Sequence, residues 1–167
     1  AFTVCFAVWT IFSIIGIQIK AELGLNDTQF GLLVATPILT GSLIRLALGI
    51  WTDQFGGRLV FALVMLSAAA ATWFLTTMST YPGYLFAALL VGVAGGSFAV
   101  GIAYVSKWFP KEKQGTALGI FGAGNVGAAV TKLLAPMIMV AYGWHAVAKI
   151  WAVALALTAV LYFLFTK

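Results

Sequence analysis

Charge is what this sequence has least of. Of its 167 residues, 8% are Asp, Glu, Lys or Arg and 63% are hydrophobic, whereas soluble domains are about 25% charged and about 45–50% apolar. Only four residues are acidic, Glu22, Asp27, Asp53 and Glu112, and none follows Glu112. The single cysteine, Cys5, excludes an intrachain disulfide; in its apolar run it reads as a small buried hydrophobe. The single histidine, His145, excludes a multi-histidine metal site. With a mean hydropathy of +1.08, a soluble fold has no way to hide the apolar surface, so the solvent for most of the chain is lipid. The net charge is +5, but the basic residues are scattered between apolar runs, which excludes nucleic acid as a partner. No basic segment precedes the first apolar run, which opens at Ala1, so the start reads as trimmed and not as a signal peptide.

What is present is a series of apolar runs of membrane-crossing length, about 20 residues each. They predict six transmembrane helices at about 1–19, 29–51, 59–78, 83–108, 115–142 and 146–165. The joining segments are short and carry Gly, Pro, Asn, Asp and Ser, so successive helices are antiparallel and successive loops alternate sides. Arg58, Lys107, Lys111, Lys113 and Lys167 fall on one side, Lys20 and Lys149 on the other. An excess of Lys and Arg marks cytoplasmic loops, which puts the 2–3 and 4–5 loops and both ends of the segment in the cytoplasm. Arg45 and Lys132 lie within predicted spans.

Arg45 is the residue that matters most. It lies five residues beyond Thr40, the centre of helix 2, or about 8 Å from the middle of the membrane. Placing it there costs at least about 2.5–3.5 kcal/mol. All four carboxylates fall in the predicted loops, so no counter-ion is at hand. An uncompensated guanidinium is a candidate anion site, since its planar fork matches flat oxyanions through two parallel hydrogen bonds. The structural alternative is an arginine that snorkels or bonds to helix-end carbonyls.

Helix 5 is rich in glycine: Gly115, Gly119, Gly122, Gly124 and Gly127 fall within thirteen residues. Residues 122–127 fit the dinucleotide pattern G-x-G-x-x-G, but that fold needs an acidic residue about 20 positions later. None exists after Glu112, so the Rossmann reading is rejected and no cofactor is expected. In a membrane, small residues let helices approach closely, and Gly115, Gly119 and Gly122 are expected to form such a face. Missing side chains also open backbone beside a small substrate. Asn125 supplies an amide at depth, either to a substrate or to a neighbouring helix. Lys132 follows it by two turns on the same face; it adds positive potential to a pathway or snorkels to the outer interface. In helix 4, Gly92, Gly95, Gly96 and Gly101 suggest close helix contact around Phe98, a flat wall for a flat ligand or an ordinary apolar contact.

Residues 49–58, Gly-Ile-Trp-Thr-Asp-Gln-Phe-Gly-Gly-Arg, resemble the loop motif that major facilitators carry between helices 2 and 3. Gly57 stands where that motif commonly has a basic residue. Residues 119–127, Gly-Ile-Phe-Gly-Ala-Gly-Asn-Val-Gly, with Pro136 beyond them, resemble the signature on helix 5 of nitrate/nitrite porters. Arg45 in Gly-Ser-Leu-Ile-Arg is similar to that family's helix-2 arginine, and Phe98 in Gly-Gly-Ser-Phe to its helix-4 aromatic. The resemblance covers essentially the whole chain.

It implies an all-α membrane protein: the N-terminal six-helix half, residues 1–167 and two three-helix repeats, of a twelve-helix carrier in the bacterial inner membrane. It implies that Arg45, Phe98, Asn125 and the backbone of Gly122, Gly124 and Gly127 bind nitrate or nitrite, with Ser42 and Lys132 along the pathway. Gly49, Asp53, Gly56, Gly57 and Arg58 would brace the cytoplasmic gate against the other half, which would carry a second arginine and a second signature. Coupling would be by proton symport or nitrate/nitrite exchange. No enzyme is expected, because His145 has no acidic partner at membrane depth. Two other readings stand beside it: a major facilitator for another small or organic anion, and a six-helix membrane assembly protein.

Overall fold

The computed structural model describes residues 1–166 and is built of helices. The first span is α1 (Phe2–Trp9) and α2 (Phe12–Leu23); the second is α3 (Asp27–Phe55) and the third α4 (Gly57–Leu75). The fourth joins α5 (Tyr81–Val91) to α6 (Ser97–Trp108) through a 3₁₀ turn at Gly92–Gly96. The fifth joins α7 (Lys111–Gly122) to α8 (Val126–Tyr142) through a 3₁₀ turn at Ala123–Asn125, and α9 (Trp144–Phe165) is the sixth. All six are long and apolar enough to cross a membrane. The six predicted spans are therefore present in order, and the described residues contain no strand.

The helices run further than hydropathy suggests, because polar residues cap them and do not end them. Asn26 opens α3 with a capping box: its Oδ1 accepts from the Gln29 N–H at 2.8 Å, and its own N–H donates to Gln29 Oε1 at 3.2 Å. Gly24 closes α2 in the left-handed conformation, φ 63°. The predicted 2–3 loop shrinks to Gly56, whose φ of 89° lets the chain reverse between α3 and α4. Between α6 and α7 only Phe109 and Pro110 are non-helical, and the Gln114 amide donates to the Ser106 and Phe109 carbonyls. In consequence the four carboxylates sit in the terminal turns of helices, not in loops. The expectation that all four lie in loops is thereby corrected: each belongs to a helix, within its first or last turn.

The core is apolar and close-packed. Val8, Ile11, Phe12, Ile15 and Ile19 of the first span are fully buried, as is Cys5. α4 lies against α9, and Met65, Ala68 and Leu75 of α4 share the buried core with Val147, Ala148 and Leu155 of α9. One polar relay ties three spans together: Trp151 Nε1 donates to Thr131 Oγ1 at 2.9 Å, and Thr131 donates to the Ala7 carbonyl at 2.8 Å, all buried. A buried polar chain with every donor placed fixes helix register in a way apolar contacts do not. Outside, large apolar side chains face outward: Leu46, Val140 and Phe165 are 77%, 86% and 84% exposed. In water such a surface would aggregate; in lipid it is solvated.

Asp53 pairs with Lys107 at 3.5 Å, and Arg58 donates to the Phe163 carbonyl at one end of the bundle. Lys20 pairs with Asp27 at 2.6 Å, and Trp144 Nε1 donates to Glu22 at 3.1 Å at the other. The loops that sequence reasoning grouped together thus lie at a common end; Lys167, which entered the same charge count, lies outside the described residues.

The glycines of the fifth span divide in a way the sequence did not suggest. A Cβ at Gly115, Gly119 or Gly122 would meet nothing within 4 Å, so the expected close-packing face is open in this chain. The packed glycines are Gly124, where a Cβ would stand 2.5 Å from the Phe2 ring, and Gly127, where a Cβ would collide with the Thr3 carbonyl oxygen. At about 100° per residue Gly124 and Gly127 point to a different side of the helix from Gly115, Gly119 and Gly122, and the first span covers that side. Replacing Gly127 by Val in the full-length protein is expected to destabilise it by at least about 1–3 kcal/mol. Gly119→Ala, at an open helical position, is expected to be neutral or stabilising by about 0.5–1 kcal/mol. Thermal unfolding in detergent compares the two.

Candidate functional site

The second span carries Arg45 on a face that also holds Ile38 and Ser42, spaced i, i+4, i+7. Arg45 is half-buried, and its Nε, shut off from solvent, bonds to no protein atom among the described residues. No ion pair involves it there either. What it has are two rings. Its guanidinium carbon lies 5.4 Å from the Phe98 ring centroid and 5.7 Å from that of Trp9. Both distances are within the range where an aromatic face attracts a cation, worth about 0.5–1 kcal/mol when exposed and about 2 when desolvated. Two such contacts, about 1–4 kcal/mol together, offset the insertion cost of the charge. They do nothing for its five N–H donors, which rings do not satisfy.

The structure therefore brings together Arg45 and Phe98, two residues that sequence reasoning had placed on separate helices, and adds Trp9, which it had missed. Trp9 ends α1, and its indole N–H donates to the Pro37 carbonyl of α3 at 2.9 Å. It fits because Gly41 and Gly95 leave room: a Cβ would stand 2.9 Å from the indole nitrogen at Gly41 and 2.5 Å from the ring at Gly95. The signal was available in the sequence as a tryptophan within an apolar span, whose N–H must find an acceptor. Beyond Trp9 the rings continue. Phe6 meets Trp9 at 5.2 Å, and Phe2 stacks on Phe121 at 4.5 Å. Phe98 lies 5.8 Å from Phe2 and 6.0 Å from Phe121. This aromatic layer connects Arg45 to the glycine signature, because Gly124 packs on Phe2.

The other predicted residues fall into distinct surroundings. Asn125 is exposed in the 3₁₀ turn, and its amide bonds to nothing among the described residues. Gly122 is open, whereas Gly124 and Gly127 have their space filled by the first span. Ser42 is exposed and donates to its own helix at the Ile38 carbonyl, 2.9 Å away. Lys132 is exposed on α8 and borders a small cavity with Trp9 and Ser13.

The loop motif is a separate cluster. Gly57 has no space for a side chain, since a Cβ would stand 2.5 Å from the Tyr104 ring; that contact accounts for glycine where the resemblance leads one to expect a basic residue. Arg58 supplies the cation one position later, stacked at 4.4 Å on the Phe163 ring. Asp53 meets Lys107 of the same bundle, and a Cβ at Gly49 would meet nothing within 4 Å. The described residues hold no cluster of His, Cys, Asp and Glu that suits a metal ion.

Six membrane-length helices around an embedded cation that no carboxylate pairs with among the described residues define a polytopic helical membrane protein. The chain belongs to the major facilitator superfamily, whose model matches residues 1–167. It is 44% identical over 169 residues to a Thermus thermophilus protein named "Probable nitrate/nitrite antiporter NarK1", a match covering 94% of this chain and 38% of that one. It is 34% identical to the "Nitrite extrusion protein" of Bacillus subtilis (strain 168), with 96% and 40% covered. With the "Probable nitrate transporter NarT" of Staphylococcus aureus (strain JH9) the identity is 35%, with 96% and 41% covered. The chain thus spans about two fifths of the length of these relatives.

Trp9→Phe keeps a ring over Arg45 but removes the donor to Pro37. It is expected to lower stability by about 0.5–1.5 kcal/mol, read as a lower unfolding temperature of the full-length protein in detergent.

Proposed function

We propose that this chain forms one six-helix half of a nitrate/nitrite porter and supplies one wall of its anion site. The observation that carries the reading is Arg45, its Nε shut off from solvent and, among the described residues, unbonded, beside Trp9 and Phe98 and paired with no carboxylate. The names of the relatives point to the same substrates. Major facilitators bind substrate near the midplane between two halves that rock about it. In this account the other half lies outside this chain and provides the second wall.

Nitrate and nitrite are planar, and a guanidinium presents pairs of parallel N–H donors to such an anion. The aromatic faces hold the cation and set the plane of the fork. An electron-rich ring face attracts the guanidinium, not the anion, so Phe98 serves the site chiefly through Arg45, which refines the expectation that it packs on the substrate. The exposed Asn125 amide and the open backbone at Gly122 stand on the signature helix as further donors. Anion occupancy neutralises the buried charge and favours closure of the halves, because the closed state is the one that gains by it.

No bond is made or broken, so the protein is a carrier and not an enzyme. Both proton symport and exchange of nitrate for nitrite suit this half, whose carboxylates all lie in terminal turns. The end bearing Arg58, Lys107, Lys111 and Lys113 faces the cytoplasm, in a bacterial inner membrane, with both ends of the segment on that side. The residues from Gly49 to Arg58 brace the gate there.

Arg45→Lys keeps the charge and removes the fork. Losing one charge-assisted hydrogen bond costs about 1.5–3 kcal/mol, or about 10- to 100-fold in affinity. Nitrate uptake by the full-length protein in proteoliposomes is expected to fall accordingly. Undiminished uptake in Arg45→Lys would remove the mechanism.

A further inference from the structure

We infer that Lys132 and the cavity beside it form a second, shallower station for the same small inorganic oxyanion, which delivers it to Arg45; the inference rests on the anion-transport reading above. A cavity of about 220 Å³ lies among the first, second and fifth spans, bordered by Trp9, Thr10, Ser13, Ile38 and Lys132. Lys132 is its one cation, and no ion pair involves it among the described residues. The hydroxyls of Thr10 and Ser13 donate to carbonyls at the break between α1 and α2. The ammonium therefore provides the charge-assisted donors, with three N–H groups.

The station is aligned with Arg45 on two antiparallel helices. On α3, Ile38 lines the cavity and precedes Arg45 by seven residues, about 10 Å of helix rise. On the fifth span, Lys132 follows Asn125 by seven residues, and both are exposed. Because the second and fifth spans run in opposite directions, both offsets point the same way. They lead toward the end of the bundle that carries Lys20, Asp27, Glu22 and Trp144, the outer end in the orientation given above.

Trp9 is the partition. It lines the cavity, and its ring centroid lies 5.7 Å from the Arg45 guanidinium. Two cations separated by one indole make a stepwise path: the outer one gathers the anion and the inner one binds it. A flexible ammonium with few neighbouring donors suits the outer step, because a station on a permeation path must hold its ion weakly enough to release it. The arginine fork, with its fixed geometry, suits the inner step.

The test uses the full-length carrier in proteoliposomes, with nitrate as the probe and initial rates measured separately from each face. Lys132→Gln is expected to raise the outer-face KM about tenfold, in the range expected when a cation concentrates ions at an entrance. Vmax should stay within about twofold. The rise of outer-face KM with ionic strength should flatten, because the screened charge is gone. Lys132→Arg should restore both KM and salt dependence, and Lys132→Met should reproduce the glutamine variant. An unchanged outer-face KM with an unchanged salt dependence in Lys132→Gln would overturn the second station. So would a loss confined to Vmax, which would make Lys132 a structural element of the transport cycle. If Arg45→Lys is inactive while Lys132→Gln keeps the wild-type KM, only the outer station fails. A wild-type carrier that moves no nitrate would defeat both.

Discussion

The constraint on which the structure depends is a guanidinium held inside an apolar bundle without an opposing charge among the described residues. Two aromatic faces supply roughly the energy that the charge costs to insert, so Arg45 is tolerated without being satisfied. A carboxylate in their place would have stabilised the arginine and closed the site. Aromatic rings leave the hydrogen-bonding edge available, and the buried Nε with no partner is the visible sign of that choice. The N–H donors left unmet are what the proposed anion would satisfy.

The packing around Arg45 follows from placing those rings. Trp9 can reach it only because Gly41 and Gly95 leave a slot for the indole. Gly92 admits Thr40 and the Pro37 backbone, and Gly96 admits Ile44 and Leu48, so the second and fourth spans close around the arginine. The helical breaks at Thr10–Ile11, Gly92–Gly96 and Ala123–Asn125 fall in the same three spans that contribute Trp9, Phe98 and Asn125. Interrupted helices near the midplane are where transporters place their substrate sites.

The fold was legible in the sequence because lipid imposes a simple rule: every crossing needs about 20 apolar residues, and six runs met it. Arg45 was legible for the same reason, since a charge in such a run has no innocent surroundings. The helix ends were less so. Hydropathy falls where Asn26, Asp53 or Lys111 appears, yet those residues lie at or within the ends of helices. Trp9 was overlooked because apolar composition hides it among equals, and only the meeting of three spans gives it a role. The glycines misled in detail. Their spacing suggested one packed face at Gly115, Gly119 and Gly122, but the first span packs on the other side, at Gly124 and Gly127. Spacing tells which glycines share a face, not which face a neighbouring helix covers.

The central claim is that the anion sits on Arg45. An experimental structure of the full-length carrier soaked with nitrate tests it most directly. Density for the anion about 2.7–2.9 Å from Arg45 nitrogens, the length of a charge-assisted hydrogen bond, with the guanidinium still between Trp9 and Phe98, is the predicted result. Nitrate bound elsewhere in the cavity, with Arg45 engaged by a carboxylate of the other half, would contradict it.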